Sequence, residues 1–193
     1  MKDQQLDLKY RAMEKIEFNN LLLETAFCVM ACDGDIDPEE IKLIRELDSK
    51  ENLFQLENLD DRLNSMLDKI NQLGLIFLKE FISELGVCKL SNEQELKVVE
   101  IAIKMIEADN VVLYSEIKFF KLIHSQLAVS DDDILSNFSH VNDIEYYVEQ
   151  DIKTVNYLDK ISSDYFNNQL LPTFQSISEI ENLVDKKSNT ADE

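Results

Sequence analysis

Apolar residues recur at helical spacing along nearly the whole chain, and the polar interruptions between them set the boundaries of the predicted elements. Residues 1 to about 17 carry a loose period through Leu6, Leu8, Met13 and Ile16, which predicts an N-terminal helical segment, either a docking helix or a frayed start. From Phe18 to Cys32 the stretch FNNLLLETAFCVMAC is apolar on almost every side. That pattern predicts a central helix with others packed around it. It ends at Asp33-Gly34-Asp35-Ile36-Asp37-Pro38, where Gly34 can take a positive φ and Asp37 can cap a new helix with Pro38 in its first turn.

The new helix runs from about 38 to 50, with Ile41, Ile44 and Leu47 on one face. Residues 54 to 86 form a long helical region divided near Gly74, with Gly86 as its stop signal. Ser91 with Gln94 three residues later reads as a capping box that opens a helix over 92–108. A helix over 115–127 and a short one from Ser130 to Phe138 follow. A helix over 142–160 is expected through Ile144, Tyr147, Val148, Ile152, Val155 and Leu158. Residues 163–185, around Pro172, are less regular, and 186–193 are expected to be a disordered tail.

An internal repeat appears at an offset of 76 residues, without a gap. LLETAFCVMACDGDIDPEEIK at 22–42 lies over VVEIAIKMIEADNVVLYSEIK at 98–118, placing Glu24 on Glu100, Asp33 on Asp109, Gly34 on Asn110 and Glu40 on Glu116. Asn is a natural substitute for Gly at a left-handed position, so the Gly34/Asn110 pairing is physically meaningful. The expected architecture is all-α: two helix-loop-helix units related by approximate two-fold symmetry over residues 18–138, with a C-terminal helical extension over 139–185. The repeat also sorts the acids. Asp33, Asp109, Glu40 and Glu116 occur in both units and are most simply turn-makers. Asp35, Asp37 and Glu39 occur in the first unit alone, where the second has Val111, Leu113 and Ser115.

Composition narrows the function. Nineteen Lys+Arg against 39 Asp+Glu give a net charge of −20, divided between residues 1–138 and 139–193 so that both parts are acidic. Such a surface repels phosphate backbones and anionic headgroups and attracts cations or basic proteins. Three Gly, two Pro and no Trp argue against an all-β fold or a phosphate-cradling loop. Cys28, Cys32 and Cys88 lie in apolar helical contexts, which favours core packing and a reducing cytoplasm over a disulfide framework. MKDQQLDLKY does not read as a secretory signal, and no apolar run is long enough to span a bilayer.

The stretch AxDGxIxxEE, formed by Ala31, Asp33, Gly34, Ile36, Glu39 and Glu40, resembles the TerB (tellurite-resistance) family. Its second copy at Ala108, Asp109, Asn110 and Glu116 and the seven-residue step from Asp to Glu strengthen the resemblance, which covers about residues 18–138. It implies an all-helical domain with internal pseudo-symmetry, an acidic surface that takes divalent metal, and membership of bacterial stress-response or defence modules. The chain departs from the pattern at Asn110, in its apolar second loop, and over 139–193.

Two candidate sites follow. Asp33, Asp35, Asp37, Glu39 and Glu40 place five carboxylates in eight residues, the chemistry of an open, weak site for Ca²⁺ or Mg²⁺, although the spacing does not match an EF-hand loop. Helix caps and a solvated acidic rim are the alternative. Val111, Val112, Leu113 and Tyr114 put apolar residues where the first loop has acids, a candidate partner-binding surface. Tyr146, Tyr147, Tyr157, Tyr165 and Phe166 enrich the C-terminal part in aromatics, so that part could cover the surface or dock elsewhere. Glu24, a lone acid in an apolar stretch, and His124 and His140 are weak catalytic candidates. No nucleophile elbow, P-loop or zinc-ligand pair occurs. The expected function is a non-enzymatic acidic adaptor for another protein, without direct nucleic-acid binding. The alternative is a divalent-cation sensor or buffer acting through residues 33–40, and a Mg²⁺-dependent hydrolase ranks last.

Overall fold

Helices alone, with no strand among the described residues, build this computed structural model, which describes residues 2–55, 58–141, 143–148 and 155–188. The first helix, α1 (Lys2–Met30), runs straight through the boundary expected near residue 17. Neither Gly nor Pro lies between Lys2 and Met30 to stop it, so residues 2–17 of the expected N-terminal segment and the central helix are one element. From Leu21 to Cys32 almost every side chain of α1 and its C-terminal turn is buried. Thr25 is tolerated in this apolar stretch because its hydroxyl donates to Leu21 O at 2.8 Å.

The caps foreseen from sequence define the next starts. Asp37 accepts from Glu39 N at 2.8 Å and opens α2 (Pro38–Glu51). Asn58, not singled out in a region expected to be helical from residue 54, caps α3 (Leu59–Leu73), and Gly74, with φ of 57°, turns the chain into α4 (Leu75–Val87). Gly86 lies inside α4 and is not its stop, since the chain leaves the helix at Cys88. Ser91 and Gln94 exchange the expected pair of hydrogen bonds, at 3.3 and 2.9 Å, at the start of α5 (Asn92–Ile106). Helix α6 (Tyr114–Ser125) follows, and Ser130 caps α7 (Asp131–Asn137). The link between α6 and α7 is tied to α5 by the buried Glu95, which accepts from Val129 N at 2.6 Å. Around α1 pack α5, α4, α6 and α2.

Beyond Phe138 the pattern departs from expectation. The helix expected over 142–160 is a single turn, α8 (Ile144–Tyr147), after which Val148 is extended; α9 (Val155–Asn168) then starts anew. Residues 149–154 lie outside the described residues. The chain crosses residues 169–176 without helix and ends its described part in α10 (Ile177–Ser188). Residues 186–188 of the expected disordered tail therefore belong to α10, and 189–193 lie outside the described residues. Ile144, Tyr147, Tyr165, Phe174 and Ile177 are buried in the same apolar cluster as Phe27 and Phe119, so the part after 138 belongs to the body of the fold. Polar ties hold it down. Asn71 and Phe174 exchange hydrogen bonds of 2.9 and 2.8 Å, Asn64 accepts from Ile177 N at 3.1 Å, and Arg45 bridges Asp60 and Glu181.

The cysteines give an early check on this packing. Cys28 and Cys32 are buried and their thiols are pushed well above the usual range, first by burial and then by nearby carboxylates, whereas Cys88 is exposed. An aromatic disulfide reagent should therefore modify Cys88 alone in the native chain and all three cysteines in denaturant. Rapid native reaction of Cys28 or Cys32 would contradict the burial of α1. No helix among the described residues is long and apolar enough to cross a membrane.

Candidate functional site

Two loops, residues 33–37 after α1 and 109–113 after α5, share a set of hydrogen bonds at the offset of 76. Asp33 Oδ1 accepts from Asp35 N at 2.9 Å, and Asp109 Oδ1 from Val111 N at 2.8 Å. Gly34 N donates to Ala31 O and Asn110 N to Glu107 O, each at 3.3 Å. Gly34 has φ of 93° and Asn110 of 63°, so both sit where L side chains are strained. Glu40 Oε2 accepts from Asp37 N at 2.9 Å, and Glu116 Oε2 from Leu113 N at 2.7 Å. Each glutamate thus reaches back from the first turn of its helix to hold the loop in front of it.

These four shared acids act on one another across the two loops. Burial is the first cause of the rise of Glu40 to about 9, and Asp33, Glu116 and Asp109 add to it. Glu116 is pushed up to about 7, again by burial first, with Asp33 and Asp109 contributing. Burial also raises Asp33, although hydrogen bonding to Asp35 N works against the rise. The acids confined to the first loop are spent locally. Asp35 accepts from Ile36 N at 3.1 Å, Asp37 caps α2, and Glu39 pairs with Lys42 at 2.7 Å on the surface. One oxygen of each of these five carboxylates thus serves a backbone amide or Lys42. Among the described residues no group of three or more His, Cys, Asp or Glu is assembled so as to hold a metal ion.

Glu24 and Glu100, the other acidic pair of the repeat, have different surroundings. Burial raises Glu24, with Arg62 opposing at 3.9 Å. Glu100 is pulled down despite its burial, because Lys104 at 2.7 Å and Lys97 at 2.9 Å both bond it. His124 is a buried residue of α6.

What lies against the two loops differs most. The C-terminal part closes the first: Tyr165 donates its hydroxyl to Cys32 O at 2.5 Å, and Gln169 Nε2 donates to Asp33 O at 2.7 Å. Pro172 and Leu170 then lie so close over Gly34 that a Cβ there would stand 3.1 Å from Pro172 Cδ and 3.4 Å from Leu170 O. No comparable cover lies over the second loop among the described residues. Ile36 is 6% exposed, whereas Val112, its counterpart, is 49% exposed, and Val111, Leu113 and Tyr114 are exposed with it. Beside them runs a groove of about 600 Å³ whose other wall carries Asp143, Tyr146 and Tyr147 of the α8 turn. Tyr147 is buried against Phe120, and its hydroxyl has no hydrogen-bond partner among the described residues, a cost of about 1–3 kcal/mol for the free chain. Aromatic enrichment marked this region in the sequence. Which tyrosine would close a loop and which would wall a groove depends on the break at Val148, which no Gly or Pro announces.

No family model matches the chain, and neither a curated protein nor a solved structure gives a significant match.

Proposed function

We propose that the chain is a non-enzymatic, acidic interaction module, built on two related helix-loop-helix units of the TerB-like kind and serving a bacterial stress-response or defence system. The observation that carries this reading is the second loop. Val111, Val112, Leu113 and Tyr114 are exposed together beside a groove, on a chain with a net charge of −20. Apolar side chains clustered in water at the rim of a groove are the ordinary mark of a protein contact. The surrounding negative charge favours a partner of opposite sign and speeds its encounter.

The cation-buffer reading is the weaker of the two, because the carboxylates of residues 33–40 already hold backbone amides and Lys42. The adaptor reading is tested by affinity purification of the full chain from its native host at low salt, with and without crosslinking. A specific protein should co-purify and be released by salt. Removing the part after 138 is an unsuitable control, since it would strip buried side chains from the core. Recovery of nothing beyond a mock bait, even after crosslinking, would defeat the proposal.

A further inference from the structure

The chain displays on its first loop how such a loop is closed. A tyrosine hydroxyl and a glutamine amide donate to consecutive carbonyls, Cys32 O and Asp33 O, and the non-helical run through Pro172 then passes over Gly34. The second loop has the same backbone bonds and left-handed position, yet it lies beside an open groove.

From this we infer that the groove takes a non-helical, net-basic segment of a partner protein, which lies over the second loop as residues 169–172 lie over the first. The inference rests on the adaptor reading and names the partner's chemistry. Three observations carry it. Val112 and Leu113 offer apolar contact at the loop whose counterpart is already covered. Tyr147, in the groove wall, has a buried hydroxyl without a partner among the described residues, and a backbone carbonyl of the incoming segment would accept from it once the wall shifts on binding. Glu107 and Asp143 stand at the groove, with Glu116 bonded behind Leu113; Lys121 also lines it but is buried and already engaged. The charge selects the occupant. A second copy would bring another −20 to the contact, whereas lysine or arginine side chains would meet carboxylates and the exposed ring of Tyr146.

The test is selection of a random peptide display library on the immobilised full chain, followed by titration of the recovered peptides. Recovered peptides should be net positive, should weaken as salt rises from about 0.05 to 0.5 M, and should crosslink to a photoreactive residue placed at position 111. Val112→Lys, at an exposed position, removes apolar contact and repels a basic segment, and should weaken them about tenfold or more. Tyr147→Phe should weaken them about threefold to tenfold while leaving the melting temperature unchanged or higher, because it removes a hydroxyl that bonds nothing among the described residues. A purely structural tyrosine would lower both. Neutral or acidic peptides, crosslinks away from the groove, indifference to Val112→Lys, or no recovered peptide would each overturn the inference. A partner captured from the host through another face would leave the adaptor reading standing and this one refuted.

Discussion

Gly34→Ala should lower stability by about 2–3 kcal/mol, where an ordinary surface substitution stays within about 0.5 kcal/mol. Two penalties combine. At φ of 93° an L side chain is strained whatever the space around it, and the new Cβ would stand 3.1 Å from Pro172 Cδ and 3.4 Å from Leu170 O. A proline ring and a backbone carbonyl yield less readily than the end of a flexible side chain, so the covering run must lift. Lifting it loosens the bonds from Gln169 to Asp33 O and from Tyr165 to Cys32 O. Thermal unfolding followed by circular dichroism should show a fall of about 4–12 °C for a chain of this length. Asn110→Gly is the matched control. Asn110 has φ of 63° but is exposed, so the change should move the melting temperature by no more than a degree or two. A Gly34→Ala melting temperature equal to that of Asn110→Gly would mean that the C-terminal part does not press on the first loop.

That contrast marks how far the sequence could be read. Helix starts whose cap lies within four residues were legible, as at Asp37-Pro38 and Ser91-Gln94, because their bonds are local. So was the burial of Leu21–Cys32, since a helix apolar all round can lie only inside others. The division of α8 from α9 was not. Residues 144–158 keep a helical period, but Tyr147 is drawn onto Phe120 and Val148 is extended, a tertiary choice that local propensity does not express.

The acids teach the same lesson in reverse. Sorting them by the repeat made Asp35, Asp37 and Glu39 the points of interest, yet these hold a local amide, a helix start and a surface lysine. Asp33, Glu40, Asp109 and Glu116, taken as turn-makers, do make the turns. Because the two turns lie near each other, Asp33 and Asp109 also add to the rise of Glu40 and Glu116 that burial causes, which no spacing along the chain reveals.

Replacing Glu40 by Gln should make the chain more stable at alkaline pH and leave it unchanged near pH 5. Glu40 rises from 4.5 to about 9 in the fold, and Glu116 from 4.5 to about 7, burial being the first cause in each. Above about pH 4.5 the unfolded chain releases these protons while the folded chain keeps them. Stability therefore falls as pH rises, by about 1.4 kcal/mol per pH unit for each such group. The fall ends for Glu116 once pH passes about 7 and for Glu40 once it passes about 9. Glu46 and Glu100, which are held below their ordinary range by lysines, contribute in the opposite sense and lose their stabilisation in more acidic solution. Wild-type stability should accordingly peak near pH 5 and drop by several kcal/mol by pH 9. Gln can hold Asp37 N as Gln94 holds Ser91 N, so Glu40→Gln keeps the cap and removes the titration. Between pH 8 and 9 its melting temperature should exceed that of wild type by about 5–10 °C, with the two curves converging toward pH 5. Parallel curves across that range, or a wild-type melting temperature flat from pH 5 to 9, would show that Glu40 is ionised in the fold and that the two loops do not share a protonated carboxyl.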